Sequence, residues 1–500
     1  MGEDVQEQVF THADRRNHRV KLRRCLDAMY LMSAEDRFDV EGTLTGMELE
    51  ICLIDNGGQP ALKNHEVLDR MAQRESADGS TLQDELGKYN LELNLAPQTI
   101  AGRGLGSYEK QLRSWLSDVN VSAQQSESNV VLVGTLPTIT SEHATLDSLS
   151  TGSRYKLLND QILAARGEEI DLDIRGVEHL RQQADSIAPE SANTSVQFHL
   201  QLSPQRFGAQ WNAAQAIAGV QLAMGANSPY LFGSRLWAET RIVLFEQSTD
   251  TRSSELRVQG VRPRTFFGEK WIGSAMDLFE ENLRYFPPLL PLCDDEDPIE
   301  ALVDERTPQL GELRLHNGTI YRWNRPVYDI GENGPHLRVE NRTVPAGPTP
   351  VDICANMAFY LGLSQNLAEE DDPVWRKLPF SMAERNFLAG ARDGIDARQV
   401  WPGLGDIAAT KLVANVLLPK AELGLARLGV DPETARRYLS IIDGRCERRQ
   451  NGASWQVNFV DKLQNEQRMP RSEALRRMLL QYREYADANI PVHEWPALPQ

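Results

Sequence analysis

The sequence predicts an α+β protein in which a curved, mainly antiparallel sheet is packed by helices and followed by a helical C-terminal region. The expectation rests first on short segments that alternate apolar and polar residues at the two-residue period of a strand. It rests also on helical apolar spacing between those segments, and on a helical pattern that persists beyond Pro350 almost to Pro491.

The elements follow in order. Residues 1–38 read as a helix, with Arg15, Arg16, Arg19, Lys21, Arg23 and Arg24 on a solvated face and Val20, Leu22, Leu26, Met29 and Tyr30 on the apolar one. Residues 43–100 hold two or more strands around the stretch from His65 to Arg74. In the first, Met47, Leu49, Ile51 and Leu53 alternate with Glu48 and Glu50. In the second, Leu91, Leu93 and Leu95 oppose Asn90, Glu92 and Asn94, and Glu85 lies just upstream. Residues 107–128 read as a helix opened by Ser107, with Glu109 in its first turn. The glycines at 102, 104 and 106 read as a hinge into it, because they lack the Gly-Lys-Ser/Thr ending of a phosphate loop.

A buried strand is expected at Val130–Gly134 and a helix at Arg154–Arg166. Next comes a strand with Gln197, His199 and Gln201 on its polar face, then an Ala-rich helix from Trp211 to Met224 that covers the sheet. Further strands are expected at 241–246, 255–261, 313–323 and 337–344, the last placing Arg338, Glu340 and Arg342 on one face. The acidic, proline-containing stretch from Cys293 to Pro308 reads as an exposed insertion or lid. A break after Gln365 divides residues 1–365, the sheet with its N-terminal helix, from a helical region at 366–500 packed on it.

The polar faces carry the chemistry. A solvated antiparallel sheet also alternates, and for any one strand that plain reading competes. A merely wet face is rich in Thr, Ser and Lys, however, with opposite charges set across strands. Here no Lys occurs on the polar faces of the four strands, and neighbouring acids recur with one His. Like charges side by side are costly unless a cation or proton lies between them. Oxygen ligands with one imidazole suit Mg²⁺ or Mn²⁺.

Gly46-x-Glu48-x-Glu50, Glu85 followed seven residues later by Glu92 in Leu-Glu-Leu-Asn-Leu-Ala-Pro, Gln197-Phe198-His199 and Arg338-Val339-Glu340-Asn341-Arg342 together resemble the glutamate-cysteine ligases and related carboxylate-amine ligases of the glutamine-synthetase-like superfamily. Asn227-Ser228-Pro229, Trp323-Asn324-Arg325-Pro326 and Ala391–Asp396 add to the resemblance, which spans roughly residues 40–400. It implies a metal-ATP cleft in which a substrate carboxylate takes the γ-phosphate of ATP and an amine displaces the resulting acyl phosphate. It further implies Glu50, Glu85 and Glu92 around a metal near the substrate, and Glu48, His199 and Glu340 around a metal on the ATP phosphates. Arg342 is implied as the contact to the transferring phosphoryl group, with Arg338 beside it, and Gln197 and Gln201 as contacts to substrate or metal-bound water. Arg241 and Arg257 are candidates for substrate contacts, against surface ion pairs; Asn324 and Arg325 are candidates for the site, against a tight turn before Pro326. Glutamate and cysteine are the leading substrates. A ligase for another acid or amine, a kinase on the same fold and a non-catalytic metal-nucleotide sensor are the alternatives.

Composition bounds the rest. A net charge of −18 disfavours a general nucleic-acid binder. Cys25, Cys52, Cys293, Cys354 and Cys446 are scattered without metal-type spacing and fit a reducing cytoplasm. No apolar run is long enough for a membrane span, and the resemblance implies small-molecule substrates as partners. The oligomeric state is not readable from these residues.

Overall fold

The computed structural model describes residues 10–39, 43–72 and 79–496. Residues 1–9 of the expected first helix, and the end of the His65–Arg74 stretch, lie outside the described residues.

The strands are β1 (Thr45–Ile54), β2 (Thr81–Asp84), β3 (Asn90–Gln98), β4 (Asn129–Val131), β5 (Ile170–Arg175), β6 (His179–Ala184), β7 (Val196–Leu202), β8 (Tyr230–Leu231), β9 (Ser234–Arg235), β10 (Thr265–Phe266), β11 (Tyr321–Arg322), β12 (Asn324–Gly331), β13 (Gly334–Asn341), β14 (Arg398–Trp401) and β15 (Gly405–Ala408). The principal sheet has seven strands in the order β12-β13-β7-β1-β3-β2, with β4 pairing the end of β1, and its pairings are antiparallel. It curls into a half-barrel. The other strands form two-stranded ribbons.

Alternation decides which face is buried. Met47, Leu49, Ile51, Leu91, Leu93, Phe198, Leu200, Leu337 and Val339 all enter the main core. The core is completed by helices that the sequence places between strands: α1 (His12–Ala34), α2 (Asn64–Met71), α3 (Gly104–Gln125), α4 (Ser153–Arg166), α5 (Pro204–Gly225), α6 (Thr240–Ser248), α7 (Ser254–Val258), α8 (Ala275–Tyr285), α9 (Pro298–Val303), α10 (Gly311–Gly318), α11 (Pro350–Ala368) and α12 (Phe380–Asp393). Helix α5 is buried along almost its whole length, and its small residues let α12 approach closely. A Cβ on Gly390 would stand 2.2 Å from the Gly219 carbonyl oxygen, so this crossing admits nothing larger than glycine. Each fully buried side chain such as Phe198 contributes about 1.5–3 kcal/mol to holding the sheet against this layer.

The helical region after α12 packs on the same core. Leu418, Ala421, Leu425 and Tyr438 share it with α11, whereas Trp455, Phe459 and Tyr482 build a second cluster with Val131 and Val133. Among the described residues no helix is long and apolar enough to cross a membrane.

Several expected elements differ. Residues 241–246 lie in helix α6, 255–258 in helix α7 with a turn after it, and 313–323 is the end of α10 followed by β11. Arg241–Leu244 is buried on every side, and a short apolar run of that kind has no period by which strand and helix can be told apart. In α7 the Ser253 side chain accepts the Leu256 N–H at 3.4 Å, a helix cap that the alternation of Leu256 and Val258 conceals. Helix α3 begins at Gly104 rather than Ser107, the His65 stretch is helix α2, and the C-terminal region contains the β14–β15 hairpin.

The stretch from Cys293 to Pro308 is largely exposed, as expected, but it is anchored: it carries α9, buries Pro298, Ala301 and Leu302, and is pinned to α1 by Arg24 on Asp297 at 2.7 Å. On α1 the buried side is Leu22, Cys25, Leu26, Ala28, Met29 and Met32, while Val20 and Tyr30 face solvent.

Candidate active site

Register brings the polar residues together. Glu50 on β1 lies opposite Glu92 on β3; Glu48 lies opposite Asn94 on one side and Gln197 on the other. Across β7, His199 pairs with Gly46 and with Glu340, and Glu340 pairs with Arg325 on β12. These side chains share the concave face because every one occupies the parity opposite to the core residues. Gly46 gives the imidazole room, since a Cβ there would meet His199 at 3.4 Å.

The face divides into two chambers. One, of about 260 Å³, is lined by Glu50, Glu85, Glu92, Glu190, Gln197 and Arg342 among others, with Arg154 and Tyr155 of α4 and the rings of Phe245 and Tyr321. The second, of about 630 Å³, is lined by Glu48, His199, Gln201, Asp329, His336 and Arg338. Both are of a size with small-molecule sites.

Glu340 stands between them, fully buried, with its oxygens taken by two guanidinium groups. Arg325 reaches Oε2 at 2.7 and 3.0 Å, and Arg342 holds Oε1. Burial pushes the Glu340 carboxyl up, but these cations outweigh it and hold it well below the usual range; the Glu340, Glu48 and Glu50 charges in turn raise Arg342 against its own burial. His199 is held from both sides. Arg338 Nε donates to Nδ1 at 3.1 Å, and Nε2 lies 3.0 Å from Glu48 Oε1, too poorly aligned for a hydrogen bond. Arg338 also donates to Asp329 at 3.0 Å. Glu48 is raised by burial but lowered further by His199, so it stays ionised.

The remaining acids lack such partners. Glu50 accepts from Ser195 N at 2.6 Å and from Gln197 Nε2 at 3.2 Å, yet burial, only partly offset by Arg342, leaves it raised. Burial, then the charges of Glu48 and Glu50, push Glu92 up to about 7. Burial, then Glu92 and Glu50, drive Glu85 well above the ordinary range. Buried carboxyls set side by side and shifted in this way mark a site that awaits positive charge.

The donor set fits a divalent ion in part. Glu50, Glu85 and Glu92 are hard oxygen donors in one chamber, and Glu48 Oε2 is buried without a partner, which suits such an ion. Among the described residues, however, no three acids, histidines or cysteines already stand as a ready coordination sphere. Unneutralised carboxylates repel one another, and Arg342 and Arg325 occupy the Glu340 oxygens.

Other expected residues are placed differently. Arg241 lines the first chamber, but its donors go to Glu239 at 2.9 Å and to the carbonyls of Arg342 at 3.3 Å and Thr343 at 2.5 Å, so it positions the end of β13 instead of facing a reactant. Gln201 bonds Asp39 at 3.0 Å in the second chamber. Asn324 turns to the helical layer, bonding Gln215 and Asn341 at 2.7 Å, because its parity on β12 is opposite to that of Arg325. Arg257 lies outside both chambers, 4.0 Å from Glu168. Sequence reasoning missed Glu190, Arg154 and Tyr155: they come from a short turn and a helix, where no two-residue alternation marks them.

Residues 44–259 match the Glutamate-cysteine ligase family 2 (GCS2). Among curated proteins none matches the chain. The glutamate-cysteine ligase of Francisella tularensis, solved in complex with AMP, superposes with a TM-score of 0.53 at 12% identity over 90% of this chain and 91% of that one, which establishes a shared fold. A bifunctional glutathione synthetase from Pasteurella multocida (TM-score 0.47, 12% identity, 89% of this chain and 52% of that one) and the ligase PafA in complex with the ubiquitin-like protein Pup (0.39, 9%, 86% and 70%) are more distant. The resemblance to glutamate-cysteine ligases thus holds over the family segment 44–259 and at the level of the fold.

Proposed function

We propose that the chain, built around a glutamate-cysteine ligase family 2 segment, joins a carboxylate to an amine with ATP through an acyl phosphate. Glutamate and cysteine are the leading pair, giving γ-glutamylcysteine. The observation that carries this reading is the row of buried acids on β1 and β3 facing Arg342 across the junction of two chambers. Two anions, the triphosphate and the attacking carboxylate, must meet there, and fixed cations at the point of charge development are what such a transfer requires.

In this reading the larger chamber beside Glu48 and His199 takes ATP, and the smaller takes the acid and the amine; the AMP bound by the Francisella ligase supports a nucleotide on this fold. Glu50, Glu85 and Glu92 would hold one Mg²⁺ or Mn²⁺. Glu48 would contribute to a second, which gains Glu340 and His199 only when Arg342 and Arg338 shift from them. When bound, such ions neutralise the phosphate oxygens and polarise the phosphorus toward attack. Arg342 orients the phosphoryl group, and Arg325 fixes Glu340, whose two guanidinium contacts set the position of Arg342. Free cysteines throughout fit a cytoplasmic protein.

Phosphate release from ATP and Mg²⁺ tests the reading, with glutamate alone, cysteine alone, both, and other amines, products being weighed by mass. Release that needs acid and amine together, with an amide product, is expected. A phosphorylated acid that accumulates without amine instead identifies a kinase.

A further inference from the structure

Glu190 belongs to no part of the machinery described above, yet it lines the smaller chamber. It sits on the 3₁₀ turn Ala188–Ala192, and Asn193 follows three residues later. Side chains three apart on such a turn eclipse one another, so both are delivered to the same side. Asn193 lines the chamber too, and both atoms of its side-chain amide are buried without a partner; Gln197, 2% exposed, donates its amide N–H to Glu50 and leaves Oε1 buried and unpaired in the same lining. One carboxylate and two unpartnered amide oxygens therefore line a single small cavity.

We infer that Glu190, Asn193 and Gln197 form the seat of a primary ammonium group, which makes the amine partner of this site a small, positively charged primary amine. The inference rests on the ligase reading for its role, though not for its geometry. An ammonium carries three N–H donors, which three acceptors satisfy. Glu190 with two neutral amides suits a monovalent organic cation, whereas Glu50, Glu85 and Glu92 in the same chamber are the several carboxylates that a divalent metal draws. Of the arginines that line the chamber, Arg241 is committed to Glu239 and backbone carbonyls, Arg342 and Arg325 to Glu340, and Arg154 bonds Tyr155, while Arg322 binds Asn282 and keeps Nη1 unpaired. Phe245 and Tyr321, edge to face with centroids 5.1 Å apart, add aromatic surface that attracts a cation. The chamber, about 260 Å³, has room for a molecule of amino-acid size. Burial, then the Glu50 charge, push the Glu190 carboxyl up to about 8, which an ammonium beside it would relieve. Glu190 also lies within electrostatic reach of Glu50 and Arg342, so an amine seated on it is close to where the acyl group forms.

The test is thermal stabilisation of the full chain by L-cysteine and by a panel of small primary amines, each paired with its N-acetyl derivative, in wild type, Glu190→Gln and Asn193→Ala. The expected result is stabilisation by at least one free amine and not by its acetylated form. Affinity should fall about thirtyfold in Glu190→Gln, the cost of one charged hydrogen bond, and less in Asn193→Ala. Equal binding of acetylated and free amines, no stabilisation by any amine, or wild-type amine affinity in Glu190→Gln overturns the inference. Hydroxylamine, uncharged at neutral pH, separates this outcome from the fate of the ligase reading. With ATP, Mg²⁺ and glutamate it traps an acyl phosphate as hydroxamate, and Glu190→Gln should lose far less of that activity than of its reaction with an ammonium substrate. Failure of hydroxamate in every protein counts against the ligase chemistry while the amine titration still judges Glu190.

Discussion

Replacing Glu92 by Gln should stabilise the metal-free protein at alkaline pH. Glu92 is 6% exposed, and its Oε1 accepts from Gln83 at 2.7 Å and Asn94 at 2.8 Å, contacts that a Gln carbonyl retains. Its carboxyl is pushed from 4.5 up to about 7 by burial, then by Glu48 and Glu50. A raised value in the folded state means that the folded protein binds the proton more tightly than the unfolded chain. The associated stability is present below about pH 4.5 and is lost as pH climbs to about 7. A shift of this size corresponds to about 3 kcal/mol over the full window, of which roughly 2.5 kcal/mol falls between pH 5 and pH 8. Urea unfolding in EDTA measures it. Wild type should lose about 2.5 kcal/mol more than Glu92→Gln between those pH values, the difference cancelling groups common to both. Adding Mg²⁺ at pH 8 should recover more stability in wild type than in the variant. Parallel pH curves for the two proteins, or a variant less stable than wild type at pH 8, would refute the argument that this carboxylate is held against electrostatic cost.

Other substitutions separate chemistry from scaffold. Glu50→Gln should abolish turnover while leaving the melting temperature near or above that of wild type, because one member of a like-charged group is removed; wild-type phosphate release would contradict its role. Arg325→Met should destabilise by about 3–5 kcal/mol, since it strips Glu340 of one of two buried partners, and the denaturation midpoint reads that loss. Arg241→Lys should lower kcat by about tenfold or more while KM for ATP moves little, because it acts on the carbonyls of Arg342 and Thr343 that place Arg342. A change in KM alone would assign Arg241 to substrate binding.

The sheet and most of its polar face were legible because strand parity is a rigid code. Once Met47, Leu49 and Ile51 must be buried, Glu48 and Glu50 can only point the other way, and the same logic places Glu92, His199, Glu340 and Arg342. That code also explains Asn324, which sits beside Arg325 in sequence and on the opposite face in space. Where burial is complete on all sides it fails, as in Arg241–Leu244, since a segment with no wet face carries no period.

What the sequence concealed is the wall opposite the sheet. Glu190, Arg154 and Tyr155 reach the chamber from a 3₁₀ turn and a helix that are distant in sequence from the acids they face, and the turn that carries Glu190 packs against α6. The sheet presents charge that the pairing of any ATP ligase requires, and such a pattern repeats along strands. Recognition of a particular amine depends on single residues delivered by irregular segments, and those leave no periodic trace. In the proposed reaction Glu190 and Arg342 act from different walls of one cavity. Activity that survives exchange of the sheet acids but not of the turn would therefore reverse this division of roles, and the paired measurements on Glu50→Gln and Glu190→Gln place each wall on its side of it.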